Sequence, residues 1–281
     1  MTAFALVLLG YQIRCAVKNQ IWVGIFVRHT SDHTRRVIFP IFAVFTFFIA
    51  GCTQPGPGQL PGDVFDPHEM VNRQNHEVNR ALDKNLVRPA GVGYTKAIPD
   101  DLEDSIGNFS SNLGLPSAVV NNLLQGNVEG AFRNTIRFVV NTTLGFGGLF
   151  DAAGDFGIDE IEGDFGQTLY VWGVPEGAYV ELPLLGPSTE RAAAGKLVDL
   201  FSNPLSYVLP SPEKYVGTGA GVASGLGNRG RYADAIDAIL YNSADSYAQA
   251  RGLYLQNRRF KLGDGDAAEE INPFDLNTEG F

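Results

Sequence analysis

The chain has 281 residues, 44% of them apolar, with a formal net charge of −10 at pH 7. That is ample material for a core and excludes an intrinsically disordered protein. Residues 1–52 hold five of the 21 Lys and Arg and one of the 31 Asp and Glu, so residues 53–281 carry 16 bases against 30 acids, a charge of −14 that argues against nucleic acid as a partner.

Both cysteines, Cys15 and Cys52, lie in this first stretch, so the remainder has no thiol for a disulfide, a metal or catalysis. Arg35-Arg36 precede an uncharged run, "VIFPIFAVFTFFIAG", and then Cys52: a positive end, an apolar run and small residues describe a bacterial export signal. The run is too short to span a membrane comfortably. "IAGC" resembles a lipobox, at which a peptidase cuts before a diacylated cysteine, which would make Cys52 the lipidated N-terminus. An acyl chain contributes roughly 0.8 kcal/mol per buried CH₂ and one chain holds marginally, so a lipoprotein's two or three chains would anchor the protein stably. Thr53 rather than Asp follows, which in enteric-type sorting favours the outer membrane. An ordinary signal peptide with a chance cysteine is the alternative. Residues 1–34 fit no part of this scheme and suggest a start site placed too early, although no Met lies between Met1 and Met70. The expected organisation is a signal region at 1–51, a lipidated linker at 52–65, a helical domain at 66–262 and an acidic, disordered tail at 263–281.

Asp66-Pro67 supplies an N-cap and a first-turn proline, and Val71, Val78, Leu82 and Leu86 form one stripe of a first helix ending near "RPAGVG". Pro99 opens a second helix with Leu102, Ile106, Phe109 and Leu113 at helical spacing and Asp100, Asp101 and Glu103 at its positive end. Pro116 is expected to open a third. From Leu113 to Phe150, 38 residues hold only three charges, Glu129, Arg133 and Arg137. Helices apolar around so much of their circumference are buried in protein or lipid, and no uncharged stretch is long enough to span. Further on, "DFGQTLYVWGV" predicts a short helix, "AYVELPLL" an extended piece, and "PSTERAAAGKLVDLF" a helix with Pro187 and Ser188 at its start. "NRGRYADAIDAILYNSADSYAQARGLYLQNRRF" predicts a closing helix pair joined near Asn242-Ser243.

Two glycine-rich strings invite nucleotide readings. In "NTTLGFGGLFD" Leu149-Phe150 stand where a P-loop needs Lys-Ser or Lys-Thr, and Phe150 where a dinucleotide fingerprint needs its third glycine. "GTGAGVASGLG" contains G-x-G-x-x-x-G at Gly219, Gly221 and Gly225 but follows no strand, and reads as a small-residue helix or turn. His68 and His76, eight positions apart on one predicted helix, are roughly 12 Å apart along its axis, too far to share a metal, and read as surface histidines. "GVASGLG" is not a G-x-S-x-G elbow, because Ala223 occupies the serine position. Tyr170, Trp172 and Tyr179 suit either an aromatic belt at a membrane interface or core packing. No cofactor and no metal is expected.

The ordered motifs "DPHEMVNRQNHEVNRALDKNLVRPAGVGYTKAIP", "NFSSNLGLPSAVVNNLLQG", "RFVVNTTLGFGGLFDAAGDFG" and "DFGQTLYVWGVPEGAYVELPLLGPSTER" together resemble the MlaA (VacJ) family of outer-membrane lipoproteins, strongly from Asp66 to Arg191 and more loosely through "YLQNRRF". One departure is Met70-Val71, where the family commonly has Gly-Phe before Asn72-Arg73.

The resemblance implies a mainly α fold: a ring of amphipathic helices embedded in one leaflet around a polar central channel. It implies a non-enzymatic role, removing mislocalised phospholipid from the outer leaflet and handing it to a soluble periplasmic carrier, with a trimeric porin as docking partner. On this reading Asn121, Asn122 and Gln125 are channel-lining candidates, with helix-surface amides as the plain alternative. Asn141, Thr142, Thr143, Gly145, Gly147 and Gly148 form a membrane-apposed bend. Competing hypotheses are a structural lipoprotein that braces a porin or the envelope, and a lipid hydrolase, for which the residues offer no nucleophile.

Overall fold

A computed structural model describes residues 64–263 of the chain. The signal region, Cys52, most of the linker and the tail beyond Gly263 lie outside these residues. The described part is mainly helical: α1 (Glu69–Leu82), a π-helical turn (Asp83–Val87), α2 (Arg88–Ala97), α3 (Asp100–Leu124), α4 (Val128–Thr143), a 3₁₀ turn (Phe146–Gly148), α5 (Ala152–Asp155) and α6 (Phe165–Val171). A hairpin of β1 (Tyr179–Leu182) and β2 (Gly186–Thr189) follows. The remainder is α7 (Glu190–Ser202), α8 (Leu205–Val208), a second 3₁₀ turn (Glu213–Tyr215), α9 (Val216–Arg231), α10 (Ala233–Leu240) and α11 (Ser246–Leu262).

Two prolines behave differently from the sequence expectation. "RPAGVG" continues the first helix, because the π turn just before Pro89 widens the helix where proline lacks an N–H. Pro116 lies inside α3 instead of opening a new helix. A proline crowds the carbonyls of the preceding turn, and Asn203 Nδ2 donates to one of them, Leu113 O, at 2.9 Å. Pro187 and Ser188 belong to β2, and α7 starts at Glu190 behind its N-cap Thr189, whose hydroxyl accepts from Ala192 N at 3.3 Å. The short helix at 165–171, the extended 179–182 and the closing pair α10 and α11 stand where the sequence puts them. The second glycine string forms the middle of α9.

Helices approach closely where glycines permit. A Cβ on Gly230 would lie 2.4 Å from Gly91 O, and one on Gly195 would lie 2.3 Å from Gly166 N. These contacts join α9 to α2 and α7 to the start of α6. The hairpin is antiparallel, pairing Tyr179 with Thr189 and Leu182 with Gly186, and its outer strand rests on α1. There asparagines replace a third strand. Asn72 accepts from Glu181 N at 2.9 Å and donates to Tyr179 O at 3.0 Å. Asn75 donates to Glu181 O at 2.8 Å and Asn79 to Leu182 O at 2.9 Å. Positions 72, 75 and 79 share one helical face, so a single side of α1 satisfies the edge of β1.

His76 lies on that same face and is buried at 3% exposure, a correction to its reading as a surface histidine. Its Nε2 is 3.0 Å from Ser246 Oγ and its Nδ1 3.5 Å from Glu181 Oε1, so it ties α1 to both β1 and α11. His68 is exposed. Tyr179 is buried against Tyr247 and Leu255, so it serves the core, while Trp172 stays partly exposed and donates to Leu124 O at 3.0 Å. The Met70-Val71 departure falls on exposed positions beside the buried Asn72.

Candidate functional site

The unusual feature is where polarity lies. Among the described residues the buried set includes Asn112, Asn121, Asn122, Asn134, Arg137, Asn141, Arg191 and Arg229, while Phe132, Phe146, Phe150, Phe156, Leu200 and Phe201 stand exposed. A water-soluble domain buries more of its large apolar side chains, and exposed apolar surface of this kind marks contact with lipid or protein.

α4 shows how the sequence produces this. Asn134, Arg137 and Asn141, spaced three and four apart, form one buried face, whereas Val128, Phe132 and Val139 point outward. The polar face holds the segment that follows the glycine bend. Asn134 donates to Ile161 O at 2.7 Å and accepts from Ile161 N at 3.1 Å. Arg137 donates to Ile158 O, and its Nη2 lies 2.9 Å from Asp151 Oδ1. Asn141 donates to the same carboxylate at 2.9 Å and accepts from Ala153 N at 2.8 Å. Asp151 then caps α5 through Gly154 N at 3.2 Å. Against the cost of its own burial, the Asn141 amide and the Arg137 guanidinium hold the Asp151 carboxyl below the ordinary carboxylate value.

The bend itself reverses the chain through three consecutive positive φ angles: Phe146 at 52°, Gly147 at 78° and Gly148 at 98°. A Cβ on Gly148 would come within 2.5 Å of Asn112 Nδ2, and one on Gly145 within 2.2 Å of Phe150 O. Glycine is required at 145 and 148 by space and at 147 by conformation. Asn112 reaches across from α3 to donate to Gly147 O at 3.3 Å and Thr142 Oγ1 at 3.2 Å. Thr143 Oγ1 donates back to Val139 O at 2.7 Å. Asn141, Thr142, Thr143, Gly145, Gly147 and Gly148 lie together at this turn, with local partners for backbone polar groups. Its outer surface is apolar: Leu144, Phe146, Leu149, Phe150 and Phe156, with Phe146 77% exposed and set edge-on to Phe150.

The three amides near the end of α3 are placed around the start of α6. Asn121 and Asn122 are both 0% exposed. Asn121 donates to Asp199 Oδ1 and accepts from Thr168 Oγ1, each at 3.1 Å. Asn122 donates to Ala118 O at 2.9 Å and Ile161 O at 3.3 Å. Half-buried Gln125 donates to Thr168 Oγ1 at 3.1 Å. In this conformation Asn121 and Asn122 face protein, binding α3, α6, α7 and the 158–164 segment into one wall. Burial raises the Asp199 carboxyl above its ordinary value, opposed by the Phe165 N–H and the Asn121 amide.

Sequence reading missed the Arg137–Asp151 pair and the asparagine ladder of α1. Their signals were the spacings 134, 137, 141 and 72, 75, 79, polar residues recurring at helical period opposite an apolar face. Among the described residues no group of His, Cys, Asp and Glu could hold a metal ion, and no helix is long and apolar enough to cross a membrane.

The model of the MlaA lipoprotein family matches residues 64–261. This chain belongs to the MlaA lipoprotein family. It is 33% identical to the intermembrane phospholipid transport system lipoprotein MlaA of Escherichia coli over 82% of this chain and 91% of that protein. The MlaA of Haemophilus influenzae is 29% identical over 82% of this chain and 93% of its own length. An uncharacterised protein of Rickettsia bellii is 34% identical over 70% and 76% respectively. A solved structure concerning the structural basis for maintenance of bacterial outer membrane lipid asymmetry shares the fold with a TM-score of 0.61 and 34% identity, covering 70% of this chain and 98% of that one. MlaA proteins are transport lipoproteins, and this membership carries the non-enzymatic reading of the chain.

Proposed function

We propose that this MlaA-family chain is an outer-membrane lipoprotein, anchored through Cys52, that removes mislocalised phospholipid from the outer leaflet and passes it to a soluble periplasmic carrier, so maintaining lipid asymmetry. The observation that carries this reading is the reversed polarity just described, with amides and guanidinium groups inside and phenylalanines outside. Acyl chains can wet the exterior without penalty, whereas water cannot.

The chemistry needs such an object. A two-chain phospholipid exposes some thirty methylenes on leaving a bilayer, at roughly 0.8 kcal/mol each, and its headgroup cannot pass through hydrocarbon unaided. A ring of helices set in the periplasmic leaflet, with a polar central channel, removes the headgroup barrier and leaves the acyl chains to the carrier. In this scheme the 144–156 bend is the membrane-apposed edge. Gln125 borders the passage, while Asn121 and Asn122 hold its wall closed. Docking on a trimeric porin would fix the ring in the membrane plane.

The test is outer-leaflet phospholipid in cells lacking the gene, complemented with the intact chain. The proposal expects surface phospholipid to rise on deletion and fall on complementation. No change on deletion, together with porin association of the intact chain in wild-type cells, would leave a bracing role instead.

A further inference from the structure

The turn of the β1–β2 hairpin holds a residue in a conformation that its side chain disfavours. Among the described residues two that are not glycine have positive φ, Phe146 at 52° and Leu184 at 67°. A left-handed backbone suits glycine, asparagine or aspartate, because a larger side chain crowds the following carbonyl. Both residues are nonetheless large and apolar, and both are exposed, Phe146 at 77% and Leu184 at 73%. Burial in the core therefore does not offset the strain. Asn79, on α1, helps to hold the turn by accepting from Leu184 N at 2.7 Å.

Leu184 borders a cavity of about 310 Å³ between the end of α1, the π turn, the hairpin and α10. Its apolar wall is Leu82, Val87, Leu184, Leu185, Pro187 and Leu240, and Leu185 is exposed like its neighbour. The stretch from Leu182 to Pro187, "LPLLGP", carries no charge. The charged groups at the cavity are engaged with protein. Asp83 accepts from Arg229 Nε and Nη2 at 2.8 and 2.7 Å, Glu181 accepts from Tyr179 Oη at 2.5 Å and Asn79 Nδ2 at 3.1 Å, and Arg80 donates to Glu77 at 3.0 Å. What the cavity presents to a ligand is hydrocarbon, which selects an uncharged apolar chain over an anion or a polar peptide. None of its lining residues belongs to the wall built around Asn121 and Asn122.

We propose that this cavity receives one acyl chain of the phospholipid cargo, with Leu184 and Leu185 as its apolar mouth. The inference rests on the transport reading above and adds the place where hydrocarbon of the cargo is held. Left-handed Leu184 is then kept for the chain it touches and not for the stability of the turn.

The full chain would be reconstituted in bilayers of dioleoylphosphatidylcholine containing a trace of a phosphatidylcholine with a diazirine midway along one acyl chain, and the sites labelled on illumination mapped by mass spectrometry. Label on Leu82, Val87 or Leu240, inside the cavity, is the expected result. Label confined to Leu184 and Leu185 would mean that the tip only dips into the bilayer, and overturns the proposal, as does a cavity without label. Leu184→Asn supplies a second measurement. Asparagine accepts the left-handed backbone, so the unfolding midpoint of the variant should equal or exceed that of wild type. Loss of one leucine contact should at the same time lower labelling inside the cavity about tenfold. A lower midpoint would show that Leu184 serves packing, and unchanged label that the mouth does not bind; either overturns the proposal. Outer-leaflet phospholipid in cells keeps the two readings apart: a wild-type chain without effect on the leaflet sinks the transport function, whereas one that clears the leaflet but takes no label in the cavity sinks only the acyl-chain site.

Discussion

Nη2 of Arg137 lies 2.9 Å from one carboxylate oxygen of Asp151 and 3.0 Å from the other, closing the chain across the glycine bend. The guanidinium is buried, and its Nε has no partner among the described residues. Removing Asp151 would strand a buried charge, which in a dry pair costs about 3–5 kcal/mol. The carboxylate is partly open to solvent, so Asp151→Asn is expected to destabilise by about 2 kcal/mol, read as a lower unfolding midpoint in detergent.

The same carboxylate carries a pH dependence of definite sign. Its folded-state pKa is depressed, so its contribution is fully present above the unfolded value of about 3.9 and is lost as the pH falls through the lower folded value. Wild-type stability should therefore drop as acid is added below about pH 4, and Asp151→Asn should lose part of that slope. Unfolding followed by helical circular dichroism between neutral pH and acid measures both.

The bend glycines should rank by mechanism. Gly147 needs positive φ but has open space around its missing Cβ, whereas a Cβ on Gly145 or Gly148 would meet atoms at 2.2 and 2.5 Å. Gly147→Ala is expected to cost about 1 kcal/mol, the usual left-handed penalty. Gly145→Ala and Gly148→Ala should each cost more, because Phe150 O or Asn112 must move. Thermal midpoints of the three variants test the order.

Asparagine cannot be replaced cheaply on the inner face of α1. Asn72→Ala leaves Glu181 N–H, Tyr179 O and an Asp66 oxygen without their partner. Each buried orphan costs about 1–3 kcal/mol, so the variant should lose about 3 kcal/mol. Hydrogen exchange at Glu181 should accelerate with it.

How far the sequence disclosed all this depends on the kind of signal. Long amphipathic segments such as 100–113 announce themselves by period. Proline misleads at 89 and 116, since a π turn in one case and the Asn203 side chain in the other absorb what an isolated helix could not tolerate. His76 looks like a surface histidine because its burial depends on residues over a hundred positions away, Glu181 and Ser246. The glycines of "NTTLGFGGLFD" suggest a tight reversal from the local sequence, but Asn112, against which Gly148 packs, lies 36 positions earlier.

The central claim is that acyl chains contact the outer faces of α4, the bend and α7 while the inner faces meet protein and polar groups. Nitroxide labels placed singly at Phe132, Phe146, Phe150 and Phe201, in the lipidated protein reconstituted in bilayers, report this through collision with oxygen, which concentrates in hydrocarbon, against a polar nickel chelate, which stays in water. The account predicts high oxygen and low chelate accessibility at all four positions. Chelate accessibility equal to that of the exposed His68 position would contradict it.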